Sequence, residues 1–273
     1  MKTRKVNDFR NEEEHIMKPT FVETENVREF YGALKRVNER GAVEACLVVV
    51  DGQPGLGKTT TIRHWVAQTG SLYLRAQKGW DYSWLIQEVL TSMGIDAKTI
   101  RGKRDRFARV LEELSERASR AVFENKTFGL VIDECDMISN RAEIMEAVRG
   151  ISDLRYMPTI LVGMGSLRDN LRRFPQIESR APNKVSFRPA SLEDARALID
   201  ARCEVPVAPD LTQFVHQLSK GFNREILEAI AHIERFGMRA DPGPEGITMA
   251  DMAGQVVMND RNTGKPIRVP GAA

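Results

Sequence analysis

Residues 52 to 59 read Gly52-Gln53-Pro54-Gly55-Leu56-Gly57-Lys58-Thr59, the spacing G-x-x-x-x-G-K-T, directly after the apolar run Cys46-Leu47-Val48-Val49-Val50. These residue types at this spacing can hold a triphosphate. The glycines let successive backbone N–H groups turn toward phosphate oxygens, Lys58 brings an ammonium to the β and γ oxygens, and the Thr59 hydroxyl can ligate Mg2+. The next stretch, Thr60-Thr61-Ile62-Arg63-His64-Trp65-Val66-Ala67, reads as a helix whose N-terminal end faces the same phosphates. Gly52, Gln53, Pro54, Gly55, Leu56, Gly57, Lys58, Thr59 and Thr60 are therefore the expected nucleotide-binding residues, with ATP and Mg2+ as the expected ligands.

A second constellation lies downstream. Phe128-Gly129-Leu130-Val131-Ile132-Asp133-Glu134 is an apolar strand ending in two carboxylates. Asp133 would hold Mg2+ together with Thr59, and Glu134 would orient, or take a proton from, the water that attacks the γ-phosphate. An acidic pair can also simply end a strand at the surface, but a phosphate loop upstream favours the catalytic reading. Lys58, Asp133 and Glu134 are the expected catalytic residues.

Positioning these groups requires a sheet. Strand-like runs occur at Ala45–Val50, Ser71–Ala76, Phe128–Asp133, Thr159–Val162 and Val185–Phe187, and helix-compatible segments separate them. This alternation predicts an α/β fold with a five-stranded parallel sheet flanked by helices. Helices are expected at Asn26–Arg40, Ser83–Met93, Arg104–Asn125 and Arg141–Leu154; the third carries Phe107, Val110, Leu111, Leu114, Ala118 and Val122 on its buried stripe. After Pro189 the strand signal stops. Ser191 with Asp194, then Asp210 with Gln213, then Asn223 open three helices of a small helical domain. The expected organisation is a flexible leader over 1–20, a nucleotide-binding core over 21–189, a helical lid over 190–240, and a mobile tail over 241–273 with one short helix near Met249–Val257.

The chain has 273 residues, 42% of them hydrophobic, enough for one core and a smaller appendage. No apolar run reaches membrane-spanning length, and Met1-Lys2-Thr3-Arg4-Lys5 is not followed by a signal-peptide core, so no membrane role and a cytoplasmic location are expected. Cys46, Cys135 and Cys203 lie far apart and suggest neither disulfides nor a metal site. With 40 basic and 38 acidic residues, net charge +2, any contact with nucleic acid must be local. One stretch stands out: Lys98, Arg101, Lys103, Arg104, Arg106 and Arg109, interrupted by Asp105. Taken alone, such a cluster is more often a solvated helix start.

A phosphate loop, a Walker B strand with Glu134 after Asp133, and a helical domain after the fifth strand make residues 21 to 240 resemble the AAA+ ATPases. The resemblance implies that Arg180, in Glu178-Ser179-Arg180, reaches the γ-phosphate held by a neighbouring subunit, with Arg172 and Arg173 as competitors. It also implies that Arg224, in Gly221-Phe222-Asn223-Arg224, contacts the nucleotide of its own subunit. After the fourth strand, Gly163-Met164-Gly165-Ser166 departs from the family's usual polar strand tip; Ser166 is the nearest polar group and is equally suited to capping the next helix.

Phe21-Val22-Glu23-Thr24-Glu25-Asn26-Val27, the segment Leu161-Val162-Gly163-Met164-Gly165 and a build without an added N-terminal module are similar to the transposition ATPases typified by phage Mu protein B, with TnsC and IstB as relatives. That resemblance implies ATP-dependent helical filaments on duplex DNA, bound without regard to sequence, which recruit and stimulate a DDE transposase in a bacterial host cell. Lys103 and Arg104, with Arg101 and Lys78, occupy the segments that would track the DNA backbone, while Trp80 reads better as packing. A helicase-loading or replication-initiation ATPase, and an ATP-switched protein-interaction module without DNA contact, remain the alternatives.

Overall fold

The computed structural model describes residues 17–240 and 242–271; residues 1–16 of the expected leader, and Asp241 and residues 272–273 of the expected tail, lie outside the described residues. The apolar runs form β1 (Leu47–Asp51), β2 (Leu72–Arg75), β3 (Leu130–Asp133), β4 (Thr159–Val162) and β5 (Asn183–Ser186). They pair in parallel in the order β2-β3-β4-β1-β5. β1, β3 and β4 are buried along their whole length, as central strands covered on both faces must be.

Alternate residues of each strand face opposite layers. Val48 and Val50 of β1 pack with Phe30, Leu34 and Val37 of α1 (Glu25–Asn38) and with Ile62 and Trp65 of α2 (Lys58–Thr69). Leu47 and Val49 face the other layer, built from α3 (Tyr82–Ser92), α4 (Lys103–Phe123), α5 (Ala142–Arg155), α6 (Ser166–Arg172) and α7 (Pro175–Glu178). On α4 the buried residues are Val110, Leu114 and Ala121, whereas Val122, expected on the buried stripe, is 71% exposed. Ala121 lies seven residues beyond Leu114 and keeps the helical phase, which Val122 leaves by one residue.

The described chain divides into two compact units. The sheet and its two layers belong to residues 23–194 together with 220–224; the other unit holds residues 17–22, 195–219 and 225–271. α8 (Leu192–Arg202) opens as its sequence suggests, since the Asp194 backbone N–H donates to Ser191 Oγ at 3.1 Å. α9 (Pro209–Ser219) and α10 (Asn223–Gly237) follow. Residues 17–20, assigned to the leader, are tied to the end of α8: the Lys18 N–H donates to the Arg202 carbonyl at 2.8 Å, and Lys18 pairs with Glu204 at 3.8 Å.

The expected tail is different again. No helix forms at Met249–Val257; β6 (Val256–Asn259) and β7 (Pro266–Arg268) make an antiparallel hairpin. Ile247, Met252, Val257, Met258 and Val269 are buried, so this segment contributes apolar surface to its unit. Asp260 organises the turn by accepting from the Thr263 N–H at 2.7 Å and the Thr263 hydroxyl at 2.8 Å, an Asx-type arrangement. Strands this short, flanked by charged residues, leave too little periodicity to be read in advance.

Phe30 is fully buried and meets Trp65 edge-on, with ring centroids 6.2 Å apart. Phe30→Ala is expected to cost about 3–5 kcal/mol, measured as a lower urea midpoint with an unchanged slope.

Candidate nucleotide-binding and catalytic site

The loop after β1 turns on glycines. Gly55 and Gly57 have φ of 91° and 90°, in the left-handed region that glycine occupies without penalty. At Gly57 a side chain would also collide, since a Cβ there would lie 2.8 Å from Asn223 Nδ2. α2 begins immediately afterwards with no side-chain cap, so its first N–H groups are available at the loop. Lys58 Nζ donates to the carbonyls of Gly52 at 2.7 Å and Gln53 at 3.0 Å. Burial pushes the Lys58 pKa below its ordinary value, against the pull of the Asp133, Glu134, Asp136 and Asp51 carboxylates.

Asp133 is the convergence point. Its Oδ2 accepts from Thr59 Oγ1 at 2.9 Å and from the Tyr73 hydroxyl at 2.7 Å, while Oδ1 accepts from the Glu134 N–H at 2.9 Å. Tyr73 was not anticipated. The parallel register that sets Arg75 opposite Asp133 also brings Tyr73 to this carboxylate. Burial, then the bond to Asp133, push the Tyr73 hydroxyl up to about 12, so it stays a donor at neutral pH. Arg63 lies 5.4 Å over the Tyr73 ring.

Glu134 adopts φ 56° and ψ 31°, and its Oε1 is 3.3 Å from Arg75 Nη2. Arg75 is a second group missed from sequence; the available signal was a charged residue ending the otherwise apolar β2. The uncapped start of α2, the glycine turns, Lys58 and the Thr59–Asp133 pair suit a triphosphate with a divalent cation. Backbone N–H groups of the loop and Lys58 would hold the phosphates, and Thr59 with Asp133 would hold Mg2+. Thr60 lies in the first turn of α2 with its side chain exposed.

Neighbouring carboxylates brace the frame. Arg168 Nη2 donates to Asp51 Oδ1 at 2.8 Å and to Ser186 Oγ at 2.7 Å, joining α6, β1 and β5 just before the loop. Asp136 Oδ1 accepts from the Met164 N–H at 3.1 Å, and a Cβ on Gly163 would lie 2.7 Å from that same oxygen. Glycine at this strand tip therefore leaves room for an aspartate. Ser166 is exposed at the first position of α6, and the N-cap is Gly165.

The Arg224 N–H donates to the Gly55 carbonyl at 3.1 Å and Asn223 Nδ2 approaches the Leu56 carbonyl at 3.4 Å, so this segment is bonded to the phosphate loop itself. The Arg224 side chain is exposed. Arg180 is placed elsewhere: its carbonyl accepts from the Leu47 N–H at 2.9 Å, at the start of β1, whereas Lys58 follows the end of β1. Arg180 Nε pairs with Asp153 at 3.2 Å. Arg172 makes an exposed pair with Asp169, and Arg173 caps the C-terminus of α6.

Arg101, Lys103, Arg104 and Lys78 are exposed, and Lys103 Nζ sits 5.9 Å over the Tyr82 ring. Glu143 and Glu146 line the same recess as Lys103 and Arg104, which lowers its attraction for an anion. Arg109 is engaged by Glu112 at 2.7 Å and Glu113 at 3.3 Å. Trp80 is 1% exposed and belongs to the core. The three cysteines are free and buried, and burial raises their thiol pKa values. No described helix is long and apolar enough to cross a membrane.

Residues 43–171 match the family described as "AAA domain". No curated protein sequence matches the chain. Among solved structures, the Aeropyrum pernix ORC1 protein in complex with DNA is similar at TM-score 0.50 and 18% identity over 78% of this chain and 59% of that one. The Aeropyrum pernix ORC2 protein, in ADPNP-ADP complexes, is similar at TM-score 0.60 and 12% identity over 84% and 68%. Cdc6p from Pyrobaculum aerophilum is similar at TM-score 0.51 and 16% identity over 81% and 64%, so this chain spans less than two thirds of the first and third of these proteins. The sheet order, the phosphate loop on β1 and these likenesses establish an α/β AAA+ fold with a five-stranded parallel sheet flanked by helices.

Proposed function

We propose that the chain is a Mg2+-dependent ATPase that works as an assembly of its own copies on DNA. The hydrogen bonds of the Thr59 hydroxyl and the Glu134 N–H to the Asp133 carboxylate, beside the glycine-turned loop that carries Lys58, carry this reading. Lys58 would supply positive charge to the β and γ oxygens, and Thr59 and Asp133 would hold the cation. When bound, Mg2+ neutralises charge that develops on the transferring phosphoryl group. Glu134 orients water and accepts its proton, and Arg75 restrains the Glu134 carboxylate until the site is filled.

Arg180 supports assembly. β1 separates it from the phosphate loop by about 16 Å for five strand residues, beyond the reach of its side chain. The role proposed for its guanidinium is therefore at the phosphates of a neighbouring copy, which requires the pair with Asp153 to open. Arg224, bonded through its backbone to Gly55, serves its own copy. DNA contact is supported by the exposed Arg101, Lys103, Arg104 and Lys78 and by the resemblance to transposition ATPases. The work proposed is delivery of duplex target DNA to a DDE transposase. A second reading, a replication-initiation or helicase-loading ATPase, is favoured by the structural likeness to the ORC1 protein in complex with DNA. Filaments on duplex DNA with a non-hydrolysable nucleotide, seen by negative-stain microscopy, support the first; preference for single strands or for a replicative helicase supports the second.

Glu134→Gln should lower turnover by about 100-fold or more while nucleotide affinity stays near wild type; unchanged turnover would remove Glu134 from the chemistry. Arg180→Ala and Lys58→Ala should each be inactive alone. Mixed in equal amounts they should recover about a quarter of wild-type turnover, because one interface type then pairs an intact loop with an intact arginine. No recovery would refute action across the subunit boundary.

A further inference from the structure

The C-terminal unit contains a basic cleft that the nucleotide chemistry does not use. His232 and Arg235 lie one turn apart on α10, Arg239 lies in the turn just after that helix ends, and Arg268 on β7 faces them across a cleft of about 400 Å3. Phe236 and Met252 supply an apolar floor. No carboxylate is among the described residues that line it. The acids of the surrounding elements are already engaged: Glu225 with Arg261, Glu228 with Asn259, Glu234 with the Glu204 N–H, and Asp251 with Thr248. Among the described residues, Arg235, Arg239 and Arg268 make no ion pair, and all three are exposed.

Helix stability explains only part of this. Arg235 in the last turn complements the α10 dipole, but Arg268 is on a strand and has no such duty. Its Nη1 donates to the Gly254 carbonyl at 2.7 Å, which fixes the guanidinium and leaves its other donors available. His232 and Arg235 lie about 4.5 Å apart along the α10 axis, of the order of the advance between successive phosphates on one strand, about 3.4 Å, and Arg239 extends the row into the turn that follows. Guanidinium forks match phosphate oxygens, and a line of them fits a polyanion better than a single small anion.

We infer that this cleft binds the phosphodiester backbone of a nucleic acid, as a contact on a different compact unit from Arg101, Lys103 and Arg104. The inference rests on the DNA part of the function proposed above. It is tested by fluorescence anisotropy of the full chain with a labelled mixed-sequence duplex and with a labelled single strand of equal length, across a salt series. Arg235→Ala/Arg239→Ala/Arg268→Ala should lose about tenfold or more in affinity for the preferred probe, and the slope of log K against log salt should fall by about two to three. The corresponding triple Lys variant should keep most of the slope. Nucleotide binding should be unchanged in both, which reports an intact fold. If the triple Ala variant is misfolded, Arg268→Gln and Arg239→Gln singly should each lower the slope by about one. Wild-type binding with unchanged affinity and slope in the variants would overturn the cleft while leaving the DNA reading standing. Absence of wild-type binding to either probe would overturn both.

Discussion

One buried carboxylate holds the centre of this molecule together. Asp133 is 4% exposed, and an ionised group so deep is tolerated only when its oxygens are satisfied. Its donors come from α2, β2 and its own chain through Thr59, Tyr73 and the Glu134 N–H. The β2–β3 register therefore carries chemical weight. Slipping β2 by one residue would turn Tyr73 and Arg75 to the other face and bury leucine where the hydroxyl stands.

The same economy recurs along that edge of the sheet. Asp51 is met by Arg168, and Asp136 is met by a backbone N–H from the loop after β4. These acids brace the frame and also lie close enough to oppose the desolvation of Lys58. A lysine placed there without them would shed its proton more readily. The edge where the strands begin is built differently, with Arg180 paired to Asp153 and the exposed side chains of Val43, Leu154 and Tyr156 near the strand starts.

What the sequence disclosed follows from how local each signal is. The strand β4 lies where the run Thr159–Val162 puts it, because the run is too short for a helix and three of its four residues are β-branched. β5 begins at Asn183 rather than Val185, since pairing of Val48 with Asn183 in the ladder recruits a polar residue that composition alone would leave outside. The phosphate loop and the Asp133–Glu134 pair were legible as motifs. Tyr73, Arg75, Arg168 and Asn223 were not, because each reaches the site only through register or a long-range contact. The C-terminal hairpin was missed for the opposite reason: its strands are local but too short to show a period.

Glu134 is also a backbone oddity. An L-residue other than glycine at φ 56° carries about 1–2 kcal/mol of steric cost, and glycine would sit there without it. Selection for thermal robustness alone would therefore drift toward a residue with no carboxylate at this position. Under the function proposed above, a glutamate here trades stability for a proton acceptor, so stabilised variants obtained by unguided evolution would tend to be catalytically silent.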